Sequence, residues 1–204
     1  MYISTFKFNK LRLLRNMDDI HKLIMKMFEG NRFEENVLYT VMDSRTKSFS
    51  NNFVNFIVQS DKKPQNIPKG FDLLNSKKCD DRIDSIKNGN IVRIYGTIEP
   101  TKRDRKQQLN KNSRQLLKLP EERKKWLQKR FSSAGELIAV NEVGKTNVSV
   151  IKKTGDAHKS SFFSYECLLY VTDKDALKQL LHSGVGRSKA YGAGLFLILS
   201  VYDQ

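Results

Sequence analysis

The pattern of apolar and polar positions predicts mixed helix and strand structure from the first residues. Apolar and polar residues alternate over Tyr2–Phe8, which is typical of a half-buried strand. Apolar residues then recur at helical spacing and predict a helix over Asp18–Phe28, which Asn16 with Asp19 begins. The rest of this half predicts strands at Asn36–Met42 and Phe53–Gln59, a loop at Asp61–Gly70 and a weak strand at Leu73–Cys79.

A second set of elements repeats this order from residue 91 onward. It consists of strands at Ile91–Ile98, Leu137–Val143, Asn147–Lys153, Phe162–Val171 and Leu195–Val201, a helix from Pro120, and a helix from Thr172 that Gly184 ends. Strand, helix, two strands, helix and strand is the ferredoxin-like order. We therefore predict an α+β protein of two tandem ferredoxin-like (RRM-like) domains, at residues 1–88 and 89–204, the first lacking a clear second helix.

The charge of the chain indicates an acidic partner. The 204 residues carry a formal net charge of +15, and Thr101–Arg130 alone holds twelve Lys or Arg against three acidic residues. Such a concentrated positive field favours nucleic acid as the partner. A membrane surface is the competing partner, but no lipidation signal, basic amphipathic helix, signal peptide or apolar run of transmembrane length is evident. Cys79 and Cys167 are far apart, so we expect reduced thiols, no metal site and a cytoplasmic protein.

Glycines and cations near the C-terminus predict a phosphate site. Gly184, Gly186, Gly192 and Gly194 surround Arg187 and Lys189, and we expect backbone N–H groups and the two cations to bind phosphate. Tyr191 in this loop is expected to pack rather than to stack on a base. Further RNA contacts are expected from two basic regions. In the basic segment, which begins at Thr101 and precedes the helix at Pro120, they are Arg103, Arg105 and Lys106. In the basic hairpin, around its turn at Gly155, they are Lys152, Lys153 and Lys159.

Three histidines are candidates for proton transfer near neutral pH, and His21 is the strongest. It lies on the flank of the apolar stripe of the predicted helix, where an imidazole can reach a bound strand; an ordinary boundary histidine is the alternative. His182 fits a partner for a helix C-terminus. His158 fits either a phosphate contact or a solvated turn residue.

Several local sequences together resemble one family. They are Met1-Tyr2-Ile3-Ser4, Ile20-His21-Lys22-Leu23, Trp126-Leu127-Gln128-Lys129, Glu166-Cys167-Leu168-Leu169, Ala176-Leu177 and the glycine loop through Leu195. In these residues the chain resembles the CasE type of CRISPR repeat endoribonuclease, of the subtype I-E interference system. The resemblance implies cleavage of hairpin repeats at the base of the stem by the substrate's own 2′-hydroxyl, without metal or cofactor. It also implies that the product RNA stays bound within a multiprotein surveillance complex.

The resemblance assigns roles to single residues as well. His21 stands at the family's catalytic histidine, and Lys26 at a lysine proposed to neutralise the phosphorane. A plain surface lysine is the alternative for Lys26, since five helical positions place it about 140° from His21. Some relatives carry a tyrosine three residues before the histidine, where this chain has Asp18, so tyrosine assistance does not carry over. Asp18 can orient His21 or can simply be a first-turn acid. A non-catalytic hairpin-binding subunit and a nonspecific basic nucleic-acid binder therefore remain alternatives.

Overall fold

The computed structural model describes residues 1–30, 34–42, 53–103, 114–152 and 154–203, apart from the side chains of residues 11 and 14. In its first half, a four-stranded antiparallel sheet has the strand order β2-β3-β1-β4, which is the ferredoxin-like order. Residues 61–70 form a loop where a ferredoxin-like unit has its second helix. The elements are β1 (Tyr2–Phe8), α1 (Met17–Met25), β2 (Leu38–Met42), β3 (Val54–Ser60) and β4 (Phe71–Lys78), with a 3-10 turn at Leu11–Arg15.

The second half, as far as it is described, repeats the arrangement more completely. Its four-stranded antiparallel sheet has the order β10-β5-β9-β8, and two short strands, β6 and β7, pair beside it. The α+β, twofold ferredoxin-like prediction is confirmed, while the boundary between residues 88 and 89 stays a prediction. The elements are α2 (Asp80–Asp84), β5 (Ile91–Ile98), β6 (Thr101–Arg103), β7 (Arg114–Leu116), α3 (Pro120–Phe131), β8 (Gly135–Ile151), β9 (Ala157–Val171), α4 (Lys174–Ser183) and β10 (Phe196–Tyr202).

Helix α1 begins as predicted and ends three residues early. The Asn16 side chain accepts from the Asp18 N–H and so caps the first turn. At the other end, the N–H groups of Met27 and Phe28 bond three residues back instead of four, so the chain tightens into turns after Met25. Both side chains remain buried, which is why the apolar pattern runs past the helix.

Strand β8 is continuous where the sequence predicts two strands. Its pairing with β9 shifts register at two points, between Leu137 and Ala139 and between Glu142 and Gly144. Because β8 continues through these irregularities, the polar, exposed residues between the two predicted strands also pair with β9. The resulting hairpin is long enough to extend from the second sheet to the first half of the chain.

The far end of this hairpin shares a core with the first half. Val148, Val150 and Phe162 are buried among side chains of α1 and β1. Asn16 adds a polar connection, because its amide accepts from the Ile151 N–H at 3.0 Å and donates to the Ile151 carbonyl at 3.0 Å. The turn that follows β8 is therefore held beside the start of α1.

The C-terminus of α4 is a second junction between the halves. The Gln59 amide donates to the carbonyls of Leu181 and His182 at 3.0 Å each, and the Asn36 amide donates to the His182 carbonyl at 2.7 Å. These side chains satisfy carbonyls that a helix end leaves unpaired. The His182 ring lies in this last turn, and its Nε2 is 2.8 Å from Asp61 Oδ1.

A buried arginine links α3 to the second sheet. Arg123 binds the Glu142 carboxylate through Nε at 3.0 Å and Nη2 at 2.8 Å, and donates to the Lys118 carbonyl at 2.5 Å. The Tyr165 hydroxyl donates to Glu142 at 2.6 Å. Burial raises the pKa of Tyr165 well above its usual range, so the phenol stays protonated in this network. The network therefore holds the end of the basic segment, at Lys118, next to the first turn of α3.

We expect Arg123→Met to lower the free energy of unfolding by about 2 kcal/mol, because Glu142 keeps only the Tyr165 hydroxyl as its partner and the Lys118 carbonyl loses its donor. Urea unfolding measures this loss. Arg93→Met is the matched control. Arg93 also pairs with a glutamate of a neighbouring strand, but its side chain is 43% exposed, against 6% for Arg123. Comparable losses in the two variants would contradict the importance assigned to burial of the Arg123 pair.

Candidate nucleic-acid interface

The glycine loop (residues 184–194) lies at the junction of the two sheets. It is closed by the Val185 N–H, which donates to the Gly194 carbonyl at 2.8 Å. The Gly194 N–H donates to the Thr97 carbonyl of β5 at 2.6 Å, and the Tyr39 hydroxyl of β2 donates to the Ala190 carbonyl at 2.8 Å. Both halves of the chain therefore fix the conformation of the loop.

Many N–H groups of the glycine loop donate to carbonyls within the protein. Those of Gly184, Val185, Tyr191, Ala193 and Gly194 all do so. The sequence-based expectation of a backbone anion site therefore has to be revised for these five positions, whose donors are already used. Anion recognition by the loop depends more on side chains, of which Arg187 is exposed.

Trp126 packs against the glycine loop. A Cβ at Gly186 would lie 2.9 Å from its Cη2 atom, so the indole and the loop backbone are in close contact. The indole Nε1 donates to the Thr101 carbonyl at 3.2 Å, and the Arg130 guanidinium lies 4.8 Å above the ring. Trp126 is thus an anchor between α3, the loop and the start of the basic segment.

Two histidines from distant parts of the chain meet at Tyr191. The Tyr191 ring centroid lies 6.3 Å from that of His21 on α1 and 6.1 Å from that of His158 on β9, both in edge contacts. The packing that the sequence predicts for Tyr191 is thus packing against two imidazoles. His21 is half-buried, and His158 is exposed.

A basic depression surrounds this cluster. It contains the predicted residues Lys152, Arg187 and Lys189 next to His158 and Tyr191. Lys189 also donates to the Ser183 carbonyl at the end of α4, at 2.6 Å. The full lining is Glu99, Thr101, Arg114, Lys152, His158, Arg187, Ser188, Lys189, Ala190 and Tyr191.

The other predicted RNA contacts are distributed around this depression. Arg103 on β6 is exposed and stands opposite Arg114 in the ladder, so it lies at the edge. Lys159 is exposed and follows His158 on β9. Arg105, Lys106 and Lys153 lie outside the described residues.

Glu99 is an acid that sequence reasoning missed. Ser188 of the glycine loop donates to one of its carboxylate oxygens and Ser160 of β9 donates to the other. Ser188 itself has a φ of +55°, which a non-glycine residue adopts only when its surroundings hold it there. Glu99 thus joins the loop to the basic hairpin. A lone acid before a proline gives no sequence signal of such a role.

Asp18 is occupied by an ion pair with Lys22. The Lys22 ammonium donates to the Asp18 carboxylate one helical turn away, and Asp18 is buried. This hydrogen bond is the main cause that raises the pKa of Lys22, and the charges of Asp18 and Asp19 add to it. The arrangement fits the first-turn acid rather than an acid that orients His21. Lys26 is exposed where α1 ends, about 140° around the helix axis from His21.

No group of three or more His, Cys, Asp or Glu side chains is placed to hold a metal ion within the described ranges. Nor does any helix among the described residues have the length and apolar character needed to cross a membrane.

Gly194→Ala should lower the thermal unfolding temperature more than Gly155→Ala does. Both glycines have a positive φ, +91° and +86°, which costs an alanine about 1 kcal/mol. At Gly194 the added Cβ would also lie 2.9 Å from the Val185 carbonyl oxygen, whereas at Gly155 it would meet no atom within 4 Å. Calorimetry on both variants checks this. Equal effects would show that the backbone around Val185 and Gly194 shifts to accommodate the added methyl group without a further loss of stability.

Comparison with known proteins gives one family and several similar structures. A family model described as CRISPR associated protein matches residues 1–199. Comparison with curated protein sequences finds no significant match.

Three solved structures cover nearly the whole chain. The CRISPR endoribonuclease Cse3 bound to 19-nucleotide RNA has a TM-score of 0.82 at 22% identity, over 98% of this chain and 100% of that one. The CRISPR-associated protein Cas6e from Escherichia coli K-12 has 0.76 at 20% identity, over 97% and 98%. A chain of a CRISPR RNA-guided surveillance complex, pre-nicking, has 0.75 at 17% identity, over 97% and 99%. At these identities the similarity establishes a shared fold.

Proposed function

This chain belongs to the CRISPR-associated protein family, and we propose that it is an endoribonuclease that processes CRISPR precursor transcripts. It cleaves each repeat hairpin at the base of its stem without a metal ion or cofactor, and it keeps the product as mature guide RNA. The family resemblance read from the sequence agrees with this membership. The structural similarity to Cse3 bound to RNA and to a chain of a surveillance complex supports RNA and complex subunits as its partners.

One observation carries the proposal: α1, the basic hairpin and the glycine loop converge on Tyr191. An imidazole from α1 is placed there next to a depression rich in Lys and Arg. A phosphodiester held by these cations would lie within reach of a group that transfers protons near neutral pH. Packing alone does not account for two histidines beside one tyrosine at the edge of a basic depression.

The reaction that fits these residues is attack by the substrate's own 2′-hydroxyl. In this reaction O2′ bonds to phosphorus, the bond from phosphorus to O5′ breaks, and a 2′,3′-cyclic phosphate and a 5′-hydroxyl form. We assign His21 to proton transfer, because α1 fixes its backbone and Tyr191 contacts its ring. Donors around the depression hold the phosphate oxygens in line for attack and offset charge on the phosphorane.

The RNA stem is proposed to lie along the basic hairpin and the basic segment. Gly184, Gly186, Gly192 and Gly194 shape the loop that carries Arg187 and Lys189 to the phosphates. The remaining proposed RNA contacts are Arg103, Arg105, Lys106, Lys152, Lys153 and Lys159. Exposed cations of this kind suit the backbone of an RNA duplex, whose deep major groove hides its bases. A cytoplasmic location follows from the substrate, a newly made transcript.

Lys22 of α1 and Lys26, the residue directly after α1, are the two candidates for neutralising the phosphorane. The family resemblance assigns this role to Lys26, which we retain as a catalytic residue. Lys22 is the second candidate, because it directly follows His21 on α1 and its ammonium is held by the buried Asp18 carboxylate.

His21→Ala should abolish cleavage of the cognate repeat hairpin in EDTA, with a loss of at least about 100-fold in the single-turnover rate. The affinity of the variant for an uncleavable hairpin with a 2′-deoxy substitution should stay within about threefold of wild type, since the cations remain. Gel analysis of end-labelled RNA measures the rate, and filter binding measures the affinity.

His182→Ala is the matched control, because His182 is paired with Asp61 away from the depression. Binding by the wild-type protein without any cleavage would favour the alternative, a non-catalytic hairpin-binding subunit. Equal affinity for unrelated duplexes would instead indicate a nonspecific basic binder.

Lys26→Ala should lower the single-turnover rate about 10- to 100-fold and leave hairpin affinity nearly unchanged, because a cation that acts on the phosphorane matters most in the transition state. The same assay applied to Lys22→Ala provides the comparison. A larger loss at Lys22 with a normal rate at Lys26 would transfer the role to Lys22.

A further inference from the structure

His158 has no task in a mechanism with one histidine, yet it contacts the same tyrosine as His21. The two imidazoles lie 6.1 Å and 6.3 Å from the Tyr191 ring centroid. His158 also lines the basic depression together with Lys152 and Arg187. It is therefore placed where the proposed substrate phosphate would bind, and it comes from a different element than His21.

The register of the basic hairpin directs His158 toward this site. His158 stands opposite Val150 in the antiparallel ladder, so both side chains project from the same face. Val150 is buried in the core shared with α1, which identifies that face as the one turned toward α1. The His158 ring therefore reaches Tyr191 because of the ladder pairing and does not depend on a chance rotamer of a turn residue.

The relative position of the two histidines is fixed by the fold. Asn16 caps the helix that carries His21, and the same side chain holds Ile151 at the end of β8, beside the strand that carries His158. Glu99 joins Ser160, two residues after His158, to Ser188, three residues before Tyr191. These contacts preorganise both rings around Tyr191 before RNA binds.

The proposed reaction requires two proton transfers on opposite sides of the phosphorus. One proton leaves the 2′-hydroxyl as O2′ bonds to phosphorus, and another reaches O5′ as the bond from phosphorus to O5′ breaks. Resting on the proposed function, we propose that His158 is a second catalytic residue, which carries one of these two protons while His21 carries the other. One imidazole gains the 2′-hydroxyl proton, the other gives its proton to the departing O5′, and proton exchange with water restores both.

The test compares His158→Ala and His158→Gln with wild type in single-turnover cleavage of the repeat hairpin at saturating protein, across pH 5 to 9. We expect a loss of about 100-fold or more and disappearance of one limb of the pH–rate profile. Lys159→Ala is the matched control, because it removes a neighbouring exposed hairpin cation that has no proton-transfer role. Its effect should fall on hairpin affinity, and its pH profile should keep both limbs.

A second substrate identifies which proton His158 carries. A hairpin with sulfur in place of the bridging 5′-oxygen has a leaving group that needs no protonation. Recovery of the His158→Ala rate on this substrate assigns the leaving-group proton to His158, and a persistent loss assigns the 2′-hydroxyl proton to it. Either result supports the proposal.

An unchanged rate and pH profile in His158→Ala, with wild type active, would overturn the proposal and leave the proposed function intact. A defect seen only in hairpin affinity would also overturn it and reduce His158 to a phosphate contact. Wild-type protein that binds the hairpin and does not cleave it would overturn both. Thermal unfolding of each variant separates these results from misfolding, and substitution of an exposed side chain should leave the midpoint unchanged.

Discussion

The candidate site depends on the burial of the far end of the β8–β9 hairpin against the first half of the chain. Val148, Val150 and Phe162 belong to a strand pair of the second sheet, but they pack in the core that holds α1. Removing these apolar side chains from water fixes the hairpin across the junction of the two halves. Without this contact, the basic turn would be held beside α1 and the glycine loop only by the hydrogen bonds of Asn16 and Glu99.

Polar contacts refine what the apolar core positions. Asn16 binds both its own helix and the end of β8, and Glu99 binds both the hairpin and the glycine loop. Each of these side chains uses several hydrogen-bonding atoms to join two elements. Glu99, the acid among the described lining residues of the depression, accepts hydrogen bonds from Ser160 and Ser188. The cations Lys152 and Arg187 line the same depression, which gives it a positive potential suited to an acidic ligand.

The proposed function follows from this combination of a rigid junction and a positive surface. Cleavage of RNA by its own 2′-hydroxyl needs no group that the protein must supply covalently, only alignment, proton transfer and charge stabilisation. Two imidazoles beside a basic depression are side chains suited to proton transfer and to charge stabilisation. The chain belongs to the CRISPR-associated protein family and shares the fold of Cse3 and Cas6e, and both findings support the proposal of guide-RNA processing.

The sequence by itself determined most of the elements and the ferredoxin-like order, because hydrophobic periodicity, the Asn16 cap and Pro120 act within a few neighbouring residues. The short elements α2, β6 and β7 were not predicted. It also indicated the charge, the glycine loop and His21. The tertiary structure decided what depends on distant contacts: that β8 is one strand, that His158 faces Tyr191, and that Glu99 joins the glycine loop to the basic hairpin. Register and packing between halves set these positions, and neither is encoded in local spacing.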